Sequence, residues 1–366
     1  MPSTPHKTVG GECCRLPGFP EWKTSNFGTL QDTMNLPGYS RLSRLATVLI
    51  VFLPAFTPPS AAQQSGAVQS PAQVTELLGR MSAAVRELDY RGLFTYEQGG
   101  SLDTLKIVHS VRDGVEYERL EHLSGPTREF VRRGQPVNCL PPGDQLLRGR
   151  LRALGENAGG LSAHYVFYLR GEERIAGREA HILQIVPRDE YRYGYTLGID
   201  RQSGMPLLFM LVSEMEKGKR VLERFQFVEL TLGGIDDSEL TPVSDRHRIA
   251  GQQMDGCRPP PSARTDNWQL NWLPQGFMFS GQRKIEPNGD MLMYTDGLTT
   301  FSVFIDPVVD SYTVEGQARR GATVAYMQRV EKHNLPYSIT VVGEIPPITA
   351  RRVAESVKSL VPPPQR

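Results

Sequence analysis

The pattern of a folded domain begins near residue 70, with apolar residues at helical spacing. Ser70, Pro71 and Gln73 supply a capping serine, a proline in the first turn and a glutamine that can hydrogen bond back to the cap. The apolar positions that follow share one helical face: Val74, Leu77, Leu78, Met81, Val85 and Leu88. This pattern predicts an amphipathic helix that lies on a sheet.

The pattern then changes to short segments rich in Tyr, Phe, Val and Ile. Turn dipeptides separate these segments: Gly99-Gly100, Asp113-Gly114, Ser124-Gly125 and Arg133-Gly134. A helix is predicted around residues 144–154, and strand-like segments resume from 163 to 230 with equally short connections. The sequence therefore predicts an antiparallel meander combined with helices.

Two later strands are apolar on both faces, around residues 165–169 and 207–212. A sheet with one face in water alternates apolar and polar residues instead. Two interpretations follow: helices or a second domain cover the outer face, or a curved sheet encloses an apolar cavity that binds an acyl chain. For the second interpretation the candidate cavity residues are Phe167, Tyr168, Phe209 and Met210, and packing in the core is the alternative for each.

A change of composition divides the chain into domains. Residues 231–266 are rich in Gly, Asp, Ser and Pro, which predicts a linker between a first domain, 63–230, and a second domain, 267–361. The second domain shows several strand-like segments and a closing helix predicted from about Thr349 to Leu360. In that helix Ala350, Val353, Val357 and Leu360 would share a face.

Residues 1–62 are typical of an export leader. Arg41 and Arg44 precede an apolar run, Leu45–Phe56, and Ser60-Ala61-Ala62 supplies the small residues that a signal peptidase prefers. A membrane anchor is the alternative, but a bilayer span needs about 20 apolar residues and this run is shorter. Cleavage after Ala62 is expected, and it predicts a mature protein in the periplasm.

The charge of the predicted mature chain argues against one class of partner. The whole chain has 41 Lys and Arg against 40 Asp and Glu, and removal of residues 1–62 leaves 36 basic against 37 acidic side chains. Without a basic surplus there is no general electrostatic attraction to phosphate. Nucleic acid is therefore not expected as a partner.

Two cysteines, Cys139 and Cys257, remain after the predicted cleavage. An even pair of cysteines in an oxidising compartment predicts a disulfide, and two buried free thiols are the alternative. A disulfide between them would close a loop of more than 100 residues and stabilise the fold by roughly 4 to 5 kcal/mol in the chain-entropy account.

The sequence shows no motif for catalysis or metal binding. It contains no G-x-S-x-G turn, no H-E-x-x-H, no phosphate-binding G-x-x-x-x-G-K-[ST] and no calcium loop, and its histidines are scattered. The sequence therefore predicts a binding protein with no catalytic residue, no metal and no cofactor. One charged stretch, Arg188–Tyr193, is interpreted either as a binding feature or as a solvated strand end.

Ordered stretches of both predicted domains resemble the MucB/RseB family. In the second domain they are WLPQGF at 272–277, YTDGL at 294–298, FSV at 301–303 and ITVVGEIPP at 339–347. In the first domain they are REFV at 128–131, PRD at 187–189, RYGY at 192–195 and ERFQF at 223–227. The resemblance extends over about residues 71–359, essentially the whole predicted mature chain.

The resemblance implies both a fold and an activity. The implied fold is α+β: a first domain similar to the lipoprotein carriers LolA and LolB, a half-open antiparallel β-barrel with helices, and a smaller C-terminal α+β domain. The implied activity is negative regulation of an envelope-stress sigma factor of the sigma-E or AlgU type. The protein would bind the periplasmic segment of an inner-membrane anti-sigma factor of the MucA/RseA type, protect it from site-1 proteolysis and be displaced by lipid-like stress signals.

Three aromatic residues near the predicted domain junction are candidates for contact with the anti-sigma segment: Trp268, Trp272 and Phe277. Core packing is the alternative for each of them. A lipid or lipoprotein carrier of the LolA type is the rival function, but such a carrier needs no second domain. Lipid or lipopolysaccharide is a candidate ligand, and the sequence leaves a homo-oligomer open.

Overall fold

The computed structural model of the chain describes residues 67–68, 70–134, 151, 154–155, 160–214, 218–243, 247–249, 267–285, 288–308, 315–332 and 335–360. The predicted leader, residues 1–62, lies outside this part of the chain, and so do Cys139 and Cys257. Export and the disulfide therefore stay predictions.

Helix α1 spans Pro71–Glu87, which confirms the predicted helix start. The hydroxyl of Ser70 accepts a hydrogen bond from the backbone of Gln73, whose side chain accepts one from the backbone of Ser70 at 3.3 Å. Four residues of the predicted apolar stripe are buried, Val74, Leu78, Met81 and Val85, and the other two, Leu77 and Leu88, are partly buried. The helix packs with this face on the large sheet.

The large sheet contains eleven strands. They are β1 (Ala67–Val68), β2 (Tyr90–Gln98), β3 (Ser101–Arg112), β4 (Val115–His122), β5 (Arg128–Arg133), β6 (Tyr165–Ile175), β7 (Arg178–Pro187), β8 (Gly194–Asp200), β9 (Pro206–Ser213), β10 (Arg220–Leu232) and β11 (His247–Ile249). Gly99-Gly100 and Asp113-Gly114, with positive φ at all four residues, form the tight β2–β3 and β3–β4 turns that the sequence predicts.

The strand order is β1-β6-β7-β8-β9-β10-β2-β3-β4-β5-β11, in which the pairing of β10 with β2 joins two antiparallel meanders. Only the short β11 runs parallel to its neighbour, β5. Strands β1 and β11 are the two edges and do not pair with each other. The sheet is therefore an open antiparallel half-barrel, and the predicted fold class is confirmed.

The inner face of the half-barrel is filled by apolar side chains. Helix α1 and the buried helical residues Leu151, Leu154 and Leu161 pack against it. The first domain also continues into the predicted linker 231–266. Strand β10 ends at Leu232, and beyond it the side chains of Ile235 and Leu240 are buried against Val108. Residues 250–266 of that linker lie outside the described part.

A smaller sheet follows, with strand order β13-β14-β15-β18-β17-β16 and antiparallel pairing throughout. Its strands are β13 (Met278–Ile285), β14 (Gly289–Thr295), β15 (Thr300–Pro307), β16 (Gly316–Arg320), β17 (Thr323–Lys332) and β18 (Leu335–Gly343). Helix α2 (Pro347–Glu355) packs against β17 and β18 and contributes Ala350, Val353 and Ala354 to a second apolar core.

The C-terminal helix is shorter than the sequence predicts. Helix α2 ends at Glu355, and residues Val357–Ser359 form strand β19, which pairs with β12 (Trp268–Leu270). The prediction that Val357 and Leu360 lie on the helix is therefore wrong. Val357 is buried as a strand residue and Leu360 is exposed, because backbone pairing with β12 replaces the last helical turn.

Candidate functional site

Two turns of the smaller sheet meet the large sheet. One turn, Asp296–Thr299, connects β14 to β15, and the other, Gly321-Ala322, connects β16 to β17. Their apolar residues Leu298 and Ala322 are buried and belong to the apolar cluster of the large sheet, not to that of their own domain. We call the region where these turns contact the large sheet the domain junction.

The junction follows one row of the large sheet. Tyr195, Leu211, Glu223 and Gln98 are paired in sequence across β8, β9, β10 and β2. Tyr195 contacts the first turn through its hydroxyl, which lies 2.7 Å from Oγ1 of Thr299. Glu223 contacts the second turn through Oε1, which accepts a hydrogen bond from the backbone of Ala322 at 3.3 Å.

A buried ion pair lies at the centre of the first contact. Nη1 of Arg192 donates to Oδ2 of Asp296 at 2.9 Å, and neither side chain is exposed (0% for both). The other oxygen of Asp296 accepts from the backbone of Leu298 at 3.0 Å and of Thr299 at 2.8 Å. Charges buried this completely are tolerated only when they are paired and hydrogen bonded, so this pair depends on contact between the two domains.

Arg192 is held from both domains. Its Nε and Nη2 donate to the carboxylate of Asp189 at 3.1 Å within the large-sheet domain. Nη2 also donates to the backbone oxygen of Gln275 at 2.5 Å, and the guanidinium lies 5.1 Å from the ring centroid of Phe277. The arginine therefore fixes the position of the segment that precedes β13.

Tyr165 completes the hydrogen bonding of Asp296. Its hydroxyl donates to Oδ2 of Asp296 at 3.0 Å. Burial raises the pKa of this phenol well above its usual value, and the neighbouring Tyr195 and the charge of Asp296 raise it further. Tyr165 therefore remains protonated and serves as a hydrogen-bond donor to the carboxylate.

The second contact centres on another buried carboxylate. Oε1 of Glu223 accepts from Nε2 of Gln98 at 2.9 Å, and Oε2 accepts from the hydroxyl of Tyr96 at 3.3 Å. The Gly321 turn packs closely on this group, since a Cβ built at Gly321 would lie 2.6 Å from Cγ of Gln98. Each domain thus contributes one buried acid to the junction.

An aromatic and cationic cluster lies at the surface of the junction. The guanidinium of Arg352 lies 4.2 Å from the ring centroid of Trp272 and donates to the hydroxyl of Tyr191 at 2.6 Å. Tyr191 and Trp272 pack edge to face, with ring centroids 5.0 Å apart. Oγ1 of Thr349 donates to the backbone oxygen of Tyr191 at 2.9 Å. Helix α2 is thereby attached to the β7–β8 turn.

The charged stretch Arg188–Tyr193 was interpreted from the sequence either as a binding feature or as a solvated strand end, and the structure fits the second only in part. A solvated strand end is wrong for Arg192 and Tyr193, which are both 2% exposed. The stretch is the turn between β7 and β8, and it supplies the large-sheet side of the junction. Arg192 and Asp296 both lie in stretches that resemble the family, RYGY and YTDGL, and this was the one sequence signal that marked them. Nothing in the neighbouring sequence indicates that they pair.

The three predicted partner-contact residues have different positions. Trp272 and Phe277 lie at the junction; Trp272 is half-buried and Phe277 is buried against Phe301. Trp268 lies on β12, where its indole N–H donates to Asp290 at 3.2 Å and its ring packs on Tyr337. Trp272 and Phe277 therefore contact the β7–β8 turn, through Tyr191 and Arg192, whereas the ring and N–H of Trp268 contact residues of the small domain.

The four predicted cavity residues do not share one face. Phe167 and Phe209 are buried in the apolar cluster of the large sheet, whereas Tyr168 and Met210, one residue further along each strand, are half-buried. Successive residues of a strand point to opposite faces, but Met210 still packs against the same cluster. The ring of Tyr168 lies 4.6 Å from the guanidinium of Arg170. A role in binding an acyl chain stays a prediction for all four.

Other parts of the described chain contribute no further site to this picture. Two surface cavities, of about 580 and 420 Å³, are lined by residues around Arg178 and Asp200 and by residues around Glu315 and Arg329. Within the described residues, no cluster of three or more His, Cys, Asp or Glu side chains has an arrangement suited to a metal ion. The helices of that same part of the chain are all too short or too polar to cross a membrane.

Comparison with known families matches the chain in two consecutive pieces. Residues 73–244 match the model of the MucB/RseB N-terminal domain, and residues 262–358 match the model of the MucB/RseB C-terminal domain. The chain is 36% identical over 297 residues to the sigma factor AlgU regulatory protein MucB of Pseudomonas aeruginosa, which covers 78% of this chain and 91% of that protein. It is 28% identical over 298 residues to the sigma-E factor regulatory protein RseB of Escherichia coli, which covers 77% and 89%.

Solved structures agree with the sequence matches. The crystal structure of MucB in complex with MucA(peri) superimposes with a TM-score of 0.65 at 34% sequence identity, covering 79% of this chain and 100% of that chain. A second complex structure, of Pseudomonas aeruginosa MucA/MucB, gives a TM-score of 0.63 at 31% identity with the same coverage.

Proposed function

Because this chain belongs to the MucB/RseB family, we propose that it is a periplasmic regulator that binds the periplasmic segment of an anti-sigma factor and protects it from site-1 proteolysis. The observation that carries this proposal is the similarity of 79% of this chain to the whole of a MucB chain crystallised with MucA(peri). The curated relatives are named as sigma factor regulators, which supports a binding role for this chain in preference to an enzymatic one.

Release of the segment requires a second ligand that favours a different state of the protein. In this proposal a lipid-like stress signal binds the state that holds the anti-sigma segment weakly, so that the segment becomes open to cleavage. A ligand can shift such an equilibrium only by its difference in affinity for the two states. The coupling is reciprocal, so the anti-sigma segment must weaken binding of the signal by the same factor.

The domain junction supports a binding surface that both domains form together. Buried polar contacts from both turns hold the small sheet against the half-barrel. A segment that crosses both domains would then meet a preformed surface and lose less entropy on binding. The rival function, a carrier of the LolA type, is disfavoured because apolar side chains, Leu298 among them, fill the inner face.

The first prediction concerns protection. Purified full-length protein is expected to slow cleavage of the purified anti-sigma segment by the site-1 protease, because the bound segment is withheld from the protease. A chain truncated before Thr265 should give no protection, since it lacks every small-domain contact. Circular dichroism of the truncated chain checks that the half-barrel remains folded.

Cleavage of a generic unfolded substrate by the same protease provides the control for direct inhibition of the enzyme. Equal rates of segment cleavage with and without full-length protein, at concentrations well above micromolar, would remove the proposed function.

The second prediction separates the candidate contact residues. Trp272→Ala should weaken binding of the segment by about 2 kcal/mol, roughly 30-fold in Kd, because a half-buried tryptophan at an interface is a typical anchor. Trp268→Ala is the matched control and should change Kd less than threefold, since Trp268 contacts Asp290 and Tyr337 within the small domain. Isothermal titration of both variants measures the difference. Similar losses for both tryptophans would contradict a contact specific to the junction.

A further inference from the structure

The first part of the predicted linker lies across the outer face of the half-barrel. We call residues 233–243 the strap. It covers a row of three residues paired across β2, β3 and β4: Arg91, Val108 and Arg119. Ile235 and Leu240 of the strap are buried against Val108, in a cluster separate from the one that contains the neighbouring Ile107 and helix α1. The strap and α1 therefore lie on opposite faces of the sheet.

Three arginines of the half-barrel hold the strap by its backbone. Each donates to one backbone oxygen: Arg91 to Gly234 at 2.8 Å, Arg112 to Ile235 at 2.9 Å and Arg119 to Glu239 at 3.3 Å. Two acids of the strap add ion pairs, Glu239 with Arg91 at 3.3 Å and Asp237 with Arg112. Arg91 and Arg112 are each 37% exposed, so water and salt reach both pairs.

The far end of the strap is attached to a buried ion pair. Both carboxylate oxygens of Glu129 accept from the backbone of Val243, at 3.2 and 3.1 Å. Glu129 pairs with Arg119 on the neighbouring strand, and Arg119 also pairs with Glu121 at 3.0 Å. These three charged residues all lie on β4 and β5, so departure of the strap leaves them paired. Separation at the domain junction, in contrast, divides a buried ion pair.

Three features suit the strap to separate from the half-barrel as a unit. It begins with Gly233 and Gly234, whose φ values of +74° and +62° cost glycine no strain. Between its two buried residues, the side chains of residues 236–238 are exposed. Strand β11, which follows it, has three residues and pairs in the parallel arrangement, the weaker one per residue. Segments with few buried apolar contacts open locally at a lower free energy than core strands do.

We infer that the strap and β11 form a reversible latch on the connection between the two domains. In the bound state the latch fixes the chain to the half-barrel as far as Ile249. In the released state the last fixed residue is Leu232, at the end of β10, so seventeen more residues, 233–249, join the connection. A longer connection lowers the effective concentration of one domain at the other. The bound latch therefore favours the closed domain junction, and it does so independently of the proposed function.

Hydrogen exchange of the full-length protein, followed by mass spectrometry, tests the latch. Peptides that cover 233–243 should exchange at least about tenfold faster than peptides of β8, because the strap opens without global unfolding. Raising NaCl from about 50 mM to about 1 M should increase exchange of the strap about threefold and leave β8 unchanged, since salt screens the two exposed ion pairs. Exchange of the strap as slow as that of β8, or no response to salt, overturns the latch.

Arg112→Met tests the coupling to the junction. It removes one hydrogen bond and one ion pair from the latch and should speed exchange of the strap about fivefold. Exchange of the turn Asp296–Thr299 should rise about twofold, because the junction closes less often when the connection is longer. A direct effect on this turn is excluded by distance: Arg91 at the strap and Gln98 at the junction lie seven residues apart on β2, roughly 23 Å.

Arg201→Met is the matched control for Arg112→Met. Arg201 also has surface ion pairs on the half-barrel, with Glu172 and Glu179, but does not contact the strap. It should leave exchange of both segments unchanged, and circular dichroism checks that both variants are folded. Faster exchange of the strap with no change in the turn would overturn the coupling. Equal effects of the two substitutions on the strap would overturn the assignment of the latch to Arg112.

Discussion

Replacement of Arg192 by methionine is expected to lower the free energy of unfolding by about 3 to 5 kcal/mol. The substitution keeps much of the apolar volume but removes the cation, which leaves the carboxylate of Asp296 buried with 0% of its side chain exposed. A buried charge without its partner retains the full cost of desolvation. Urea unfolding, followed by fluorescence, measures the loss.

The control for Arg192→Met is Arg201→Met. Arg201 is 58% exposed and its ion pairs with Glu172 and Glu179 lie at the surface, so its loss should cost less than about 1 kcal/mol. Adding Asp296→Asn to Arg192→Met should recover part of the loss, because the uncompensated charge is gone. If Arg192→Met costs no more than Arg201→Met, the closed junction is not the state present in solution.

Gly343→Ala is expected to destabilise the small domain by about 3 kcal/mol. Gly343 pairs with Phe301 across β15 and β18, and a Cβ there would lie 2.4 Å from Cβ of Phe301 and 2.9 Å from the backbone oxygen of Thr300. Phe301 cannot move aside easily, because it is buried and stacks on Tyr294 at a centroid distance of 5.4 Å. Relief would require a shift of the β15 backbone.

The matched control is a second glycine-to-alanine substitution with the opposite expected sign. Gly79 lies within α1 and has nothing within 4 Å of a Cβ, so Gly79→Ala should stabilise the protein by roughly 0.5 to 1 kcal/mol. Differential scanning calorimetry compares the two variants with the parent protein. An unchanged Tm for Gly343→Ala would show that strands β15 and β18 move apart at this point more easily than the packing indicates.

Local patterns in the sequence predict local structure well in this protein. The capping residues at Ser70 and Gln73 determine where α1 begins, and the turn dipeptide Asp113-Gly114 determines a hairpin, because each depends on residues within a few positions along the chain. The family-like stretches also predicted membership of the MucB/RseB family and an open antiparallel half-barrel, and both are confirmed.

Predictions failed where a distant segment decided the outcome. The helical pattern at the C-terminus continues through Val357, but pairing with Trp268–Leu270 turns that segment into a strand. The apolar character of both faces of β6 and β9 likewise left two interpretations open. The structure places Phe167 and Phe209 in a filled inner face, an arrangement that depends on α1 and on Leu298 from the other domain.

The sequence by itself therefore determined the family and those elements and turns that depend on nearby residues, since propensity, capping and alternation act over short distances along the chain. Only the tertiary structure decided the domain junction. Arg192 and Asp296 are 104 residues apart, and each alone resembles an ordinary charged residue of a turn. Their burial becomes favourable only when the two domains bring opposite charges and hydrogen-bond partners to one place. The electrostatic energy of the pair depends on its distance in space, which residue type and spacing along the chain do not encode.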